Sequence, residues 1–291
     1  MKKLYKLVAV ALLLMMTVVS STKAFAQEDT VLKVASHLPP MTDIVELAGE
    51  NLPEGYSIEL VQVSDNIQYN EAVLNDEAIA SFAQHMPFME MFNQEHDGDL
   101  VSVQPIYNAI VGFYAPEYQS MDDIQDGAEI AIPSDPTNMA RALLILADYD
   151  LIKLDEAAGI HPTLEDVTEN ARDFKFTEVD LVNLAAAYED GVDLVFSYPT
   201  FIQPLGLTTQ DALFLENDTE NLFAQTLVVR EGNKDSQEVK ALVEAFTSQP
   251  VRDFVDELVA KGGYINAITA QEDEKADEDT MSDEETSQDN E

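Results

Sequence analysis

Residues 31–62 read VLKVASHLPPMTDIVELAGENLPEGYSIELVQ, and the fold follows from how they are divided. Val31-Leu32-Lys33-Val34-Ala35 is an apolar, β-prone run that predicts a strand. Met41 to Leu52 carries its apolar residues at helical spacing, and Ser57-Ile58-Glu59-Leu60-Val61 alternates with period two, as a second strand does. The alternation goes on outward from there. Gln68 to Leu74 predicts a helix, Ala78 to Phe82 a short buried strand, and Met89 to Gln94 another helix. A βαβαβα order of this kind predicts a mainly parallel sheet covered on both faces.

From Leu100 the pattern changes. Two apolar, β-rich runs, Leu100 to Tyr107 and Ala109 to Tyr114, lie end to end and suit a long strand pair that carries the chain from one lobe to another. The α/β alternation then restarts. Strands are expected at Glu129 to Ile132, Phe174 to Val179, Val192 to Phe196 and Phe223 to Val229. Helices are expected at Met139 to Asp148, Leu181 to Tyr188, Gln237 to Phe246 and Val251 to Lys261. The architecture expected is α/β, with two lobes and a ligand cleft between them. The second lobe is inserted in the first, so the chain makes two hinge crossovers. The expected bounds are a signal peptide at 1–26, a first lobe at 27–112, a second lobe at 113–222, a return to the first lobe at 223–265 and a disordered acidic tail at 266–291.

The ends of the chain differ in composition from the middle. Lys2, Lys3 and Lys6 precede an apolar run from Leu7 to Val19, and Ala24-Phe25-Ala26 offers small residues where a signal peptidase reads. Export is expected, with cleavage after Ala26 and a periplasmic, secreted or cell-surface destination. Gln271 to Glu291 holds eleven acidic residues and one lysine, too little apolar surface to offset its ordering entropy. Over the 291 residues, 56 acidic against 15 basic side chains give a formal charge of −41. A field of that sign disfavours nucleic acid and anionic lipid. The chain has no cysteine, which excludes disulfides, thiolate metal sites, a cysteine nucleophile and a lipid anchor on an N-terminal cysteine.

Two stretches carry most of the chemistry. In Ala131-Ile132-Pro133-Ser134-Asp135-Pro136-Thr137-Asn138-Met139-Ala140-Arg141 a strand ends, a turn with two prolines follows and a helix begins near Asn138. Asn138 is a suitable N-cap, which puts Arg141 in the first turn, where amide N–H groups and a guanidinium suit a carboxylate. In Ser81-Phe82-Ala83-Gln84-His85-Met86-Pro87-Phe88, which follows a strand, His85 offers a hydrogen bond and Phe88 an apolar wall. His37, His85, His96 and His161 lack H-x-x-x-H spacing, and there is neither a P-loop nor a G-x-S-x-G elbow. No catalytic residue, metal or cofactor is expected.

At these stretches the chain resembles the methionine-binding lipoprotein family, the NlpA/MetQ group of importer-associated solute-binding proteins. The resemblance runs through Gln84-His85-Met86-Pro87-Phe88, Ser120-Met121-Asp122-Asp123-Ile124-Gln125-Asp126-Gly127 and Ile132 to Arg141. It continues through Asp211-Ala212-Leu213-Phe214 and Val228-Val229-Arg230-Glu231-Gly232-Asn233-Lys234-Asp235, and spans roughly Val31 to Gly262. It implies a periplasmic-binding-protein-like fold, a small-molecule ligand and, as partners, an ABC importer's permease and ATPase. It also implies that Arg141 grips the ligand carboxylate, that Asn138 helps hold the ligand and that His85 lines the site.

The chain departs from that family at the positions that would read the rest of the ligand. Asn66 and Ala83 stand where the family has aromatics, and Phe88 keeps a ring without the tyrosine hydroxyl. Tyr198 stands where an asparagine receives the ligand's amino group, and Gln225 replaces another asparagine. Lost aromatic walls weaken packing against a thioether, and a less satisfied buried ammonium costs on the order of 1–3 kcal/mol. The ligand is therefore expected to be an amino acid, a derivative or a short peptide other than free methionine. The protein is expected to be a monomer. The alternative is a ligand sensor, adhesin or scavenger on the same scaffold without a transport role.

Overall fold

The computed structural model describes residues 29–217 and 221–268. The expected signal segment at 1–26 and the acidic stretch Gln271–Glu291 lie outside the described residues.

In chain order the first part contains β1 (Thr30–Ser36), α1 (Met41–Gly49), β2 (Tyr56–Gln62), α2 (Gln68–Leu74), β3 (Ala80–His85), α3 (Met86–His96) and β4 (Leu100–Ala109). There follow β5 (Gly112–Tyr114), β6 (Glu129–Pro133), α4 (Pro136–Asp148), β7 (Lys153–Leu154), β8 (Val167–Glu169), β9 (Lys175–Val179), α5 (Leu184–Glu189) and β10 (Leu194–Ser197). The rest comprises α6 (Pro199–Ile202), β11 (Phe214–Leu215), β12 (Gln225–Arg230), α7 (Gln237–Phe246), α8 (Gln249–Lys261) and β13 (Tyr264–Asn266). Among the described residues no helix is long and apolar enough to cross a membrane.

The strands form two main sheets, one per lobe. One sheet has the order β13-β4-β12-β3-β1-β2, the other β11-β5-β10-β6-β9, and β7 pairs with β8 in a small hairpin. The end-to-end apolar runs are divided between them: β4 belongs to the first sheet and β5 to the second. The chain returns to the first sheet between β11 and β12.

The expected mainly parallel sheet is instead mixed. β1 is parallel to β2 and β3, but β12 runs antiparallel to both β3 and β4, and β13 antiparallel to β4. Apolar patterning marks β12 as central, and five of its six residues are buried, but patterning carries no information on direction. Residues 266–268, placed in the expected tail at 266–291, are part of the fold. Asn266 pairs with Tyr107 in β13, and Ala267 and Ile268 are buried, because their apolar side chains close the edge beside β4.

Topology fixes where a ligand belongs. From β1 the chain moves to β2 on one side, then through α2 to β3 on the other. Right-handed crossovers taken in opposite directions put α1 and α2 on opposite faces and leave a crevice beyond the ends of β1 and β3. The second sheet repeats the device. β6 leads to β9 on one side, and β9 leads through α5 to β10 on the other, so its crevice lies beyond β6 and β10. α3, which follows β3, packs against α4, which follows β6, so the two crevices face each other.

Candidate ligand-binding cleft

His37 and Leu38 follow β1, and Gln84 and His85 end β3. Asn138 lies in the first turn of α4 and Tyr198 follows β10. These residues line one cleft of about 550 Å³, counting the solvent at its mouth, together with Met41, Asn66, Tyr69, Ala83, Phe88, Tyr107, Leu181, Thr200, Phe201 and Gln225. All the expected site residues except Arg141 are in that lining. Gln225 opens β12 and stands opposite His85 on one side and Tyr107 on the other.

The start of α4 differs from the expectation. Asp135, not Asn138, is the N-cap: its carboxylate accepts from the Asn138 backbone N–H at 2.9 Å and from the Thr137 hydroxyl at 3.1 Å. Pro136 takes the first helical position, where its fixed φ fits and its missing N–H costs nothing. Asn138 is thus a third helical residue, and Arg141 falls in the second turn.

That shift builds a polar relay. The Asn138 amide donates to both Asp135 oxygens, at 3.0 and 3.1 Å, which fixes the amide and turns Oδ1 toward the cleft. Oδ1 accepts from the Tyr198 hydroxyl at 2.6 Å. His85 Nε2 lies 3.3 Å from the same oxygen. His85 Nδ1 accepts from the Phe88 backbone N–H at 3.2 Å, so it carries no proton and Nε2 is the donor. Burial, reinforced by the Arg141 charge, lowers the His85 pKa to about 3 and keeps the ring neutral. Burial raises the Asp135 pKa against the hydrogen bonds from Asn138.

Arg141 lies behind this relay at 1% exposure. Its Nε donates to Glu216 Oε1 at 2.6 Å, and its Nη2 donates to Glu216 Oε2 and to the Ala109 carbonyl at 2.9 Å. Its Nη1 donates to the Tyr198 hydroxyl at 2.9 Å, and the Phe223 ring covers the guanidinium at 4.4 Å. Burial alone would lower the Arg141 pKa, but Glu216 and Tyr198 outweigh it and hold the charge firmly on. The Tyr198 phenol is pushed up to about 12, chiefly by burial.

The opposite wall of the cleft is rich in aromatic rings, and no Asp, Glu, Lys or Arg lines it. Tyr69 packs on His37 with ring centroids 5.8 Å apart and on Phe88 at 6.4 Å. His37 is 7% exposed, its Nδ1 is buried without a hydrogen-bond partner, and burial lowers its pKa to about 4. Gln84 is held by a reciprocal amide pair with Asn70.

The family model described as NlpA lipoprotein matches residues 32–268. This chain belongs to the NlpA lipoprotein family. Among curated NlpA relatives, the D-methionine-binding lipoprotein MetQ of Escherichia coli K12 is 33% identical over 213 residues, 72% of this chain and 78% of the relative. A lipoprotein of the YaeC family from Enterococcus faecalis V583 has a crystal structure that aligns with a TM-score of 0.73 at 47% identity, covering 82% of this chain and all of that one. A nutrient-binding protein from Burkholderia cenocepacia, solved bound to methionine, aligns with a TM-score of 0.75 at 29% identity, covering 81% and 99%.

Several members of this NlpA cleft left no usable mark in the sequence. Tyr69 and Tyr107 occupy apolar positions that read as core. Thr200 and Phe201 sit in or beside α6, too short for a periodic signal. Glu216 is one acid among 56 and nothing in its neighbourhood marks it as Arg141's partner. His37 could have been found, since it follows a strand as His85 does.

Proposed function

We propose that this chain is an extracytoplasmic solute-binding protein that captures an amino acid, an amino-acid derivative or a short peptide in the cleft and hands it to an ABC importer. The observation that carries the reading is the convergence of two topological crevices, one from each sheet, on a single pocket with a few fixed polar groups among aromatic walls. A methionine-bound relative and the D-methionine-binding MetQ support the ligand class. Export fits the signal-like first 26 residues, with removal after Ala26.

Methionine itself is not the preferred ligand in this reading. Ala83 gives the cleft little apolar surface, Asn66 offers an amide in place of a ring, and Tyr198 brings a bulky phenol onto the Asn138 amide. The test is a thermal-shift screen of the protein from Gln27 onward, freed of co-purified ligand by unfolding and refolding. The panel is the amino acids, their derivatives and dipeptides. A ligand that binds the folded state raises Tm in proportion to the logarithm of its concentration. One strong hit other than methionine is the expected result. A flat response across the panel would remove the amino-acid reading, and methionine as the strongest hit would remove the selectivity argument.

A further inference from the structure

Two histidines line the cleft, and each stands at the end of a strand of the first sheet: His85 closes β3 and His37 follows β1. They sit at the two ends of one row of rings, His37, Tyr69, Phe88 and His85, with successive centroids 5.8, 6.4 and 6.2 Å apart. Burial keeps both imidazoles neutral. Their hydrogen bonds differ. His85 is used by the protein itself, with Nδ1 accepting from the Phe88 N–H and Nε2 meeting Asn138 Oδ1. His37 has its Nδ1 buried without a partner.

The backbone that carries His37 is fixed from both neighbouring strands. Ser36 Oγ donates to the Phe82 carbonyl at 2.7 Å, the Val63 N–H donates to the Ser36 carbonyl at 2.9 Å, and the Gln62 amide donates to the His37 carbonyl at 3.3 Å. A leucine or phenylalanine would fill the same place without leaving a buried polar atom unpaired, which is costly. A rigidly held polar ring on the wall of a cleft suits a ligand better than it suits packing. With Nδ1 enclosed, a proton there would have no acceptor. The proton belongs on Nε2, the edge of the ring left to the cleft, so a ligand group that meets it must accept. That group is also neutral. Neither lysine nor arginine is among the residues lining the cleft, and the Asp65 carboxylate lies near enough to act on His37. A thioether accepts only weakly.

We infer that His37 is a specificity-determining residue, donating from Nε2 to a neutral oxygen on the ligand's side chain, so that the ligand class is an amino acid whose side chain ends in a carboxamide or an equivalent neutral acceptor. Asn66 brings an amide to the same cleft and suits the same kind of side chain. The inference rests on the solute-binding reading above and names the side-chain chemistry that reading leaves open.

The experiment is titration calorimetry on the refolded, ligand-free protein with five amino acids of similar length: norleucine, methionine, methionine sulfoxide, glutamine and glutamate. Glutamine and methionine sulfoxide are expected to bind at least about fivefold tighter than the other three, the difference that one satisfied buried donor makes. Norleucine or methionine binding as tightly as glutamine overturns the inference and leaves the solute-binding reading intact; glutamate as the tightest ligand overturns the neutral class. In His37→Phe the preference for glutamine over norleucine should fall to within about twofold, while His37→Gln, which keeps an N–H donor, should retain part of it. An unchanged preference in both variants overturns the role of His37. Side-chain ¹⁵N spectra of the wild type give a reading that needs no variant to fold. The His37 Nε2 resonance should move on adding glutamine and stay in place with norleucine, and a resonance that glutamine leaves unmoved overturns the contact. If none of the five binds, the inference falls together with the amino-acid reading.

Discussion

Arg141 draws its countercharge from one side chain, so Glu216→Ala leaves a buried guanidinium facing only neutral acceptors. Breaking such a pair from one side costs about 3–5 kcal/mol, whereas replacing both partners with apolar groups of similar size is often close to neutral. Urea unfolding should show Glu216→Ala destabilised by about that amount and the double variant Arg141→Met/Glu216→Leu less so. A double variant as unstable as the single would assign the stability to the bonds with Tyr198 and Ala109 instead. The cleft histidines make a second prediction. Burial lowers the folded pKa of His37 to about 4 and of His85 to about 3, so between those values and pH 6.5 the unfolded chain binds protons that the folded chain refuses. Their stabilisation is whole above pH 6.5 and falls below it, by about 1.4 kcal/mol per pH unit for each histidine. Asp135 acts in the opposite sense, because its raised folded pKa favours the folded state as pH drops. Calorimetric Tm values between pH 7 and 5 should fall less steeply in His37→Gln and in His85→Gln than in the wild type. An equal slope in both variants would mean that neither ring is held neutral by burial.

At the scale of elements, α4 and β11 place the site. Asp135→Ala removes the N-cap of α4 and frees the Asn138 amide to rotate; an N-cap alone is worth about 1 kcal/mol. The variant should lose about 2 kcal/mol in urea unfolding, and its loss of ligand affinity should exceed what instability explains, since Asn138 Oδ1 no longer has a fixed direction. β11 depends on a glycine. A Cβ on Gly112 would lie 2.9 Å from the Phe214 carbonyl and 2.7 Å from Leu215 Cδ2, and the strand pair β5–β11 carries Glu216, whose N–H bonds to Val111. Gly112→Ala is expected to cost about 1–3 kcal/mol by overpacking and to weaken the Arg141–Glu216 pair with it. β11 was also among the elements the sequence did not disclose, and the reason is physical. Helix α2 is legible to the residue, because Tyr69, Ala72 and Val73 face one way while Glu71 faces another. A periodic signal needs several residues to repeat, and β11, β7 and β13 have two or three each. His85, at the end of β3, was legible because strand ends are where α/β folds put ligands, and Tyr198, after β10, was legible only through the family resemblance. Arg141's partner was not, because pairing across 75 residues depends on which strand follows which in the sheet, and composition is silent on that.

On the scale of the whole molecule, the charge of −41 works against compaction. Salt screens that self-repulsion within about 10 Å at 0.1 M. Raising NaCl from about 20 mM to 1 M should stabilise the fold by about 2 kcal/mol and lift Tm by about 4–8 °C; a Tm that falls with salt would mean that the surface ion pairs outweigh the net repulsion. The Arg141 guanidinium has a consequence on this scale as well. Its acceptors include Ala109, which ends β4 just before the chain leaves the first lobe, and Glu216, which follows β11 just before the chain comes back. One side chain of the second lobe therefore fastens both connecting segments at the same spot. Two separate tethers would let the lobes slide, splay and twist independently. Pinned together, they share one anchor beside the cleft.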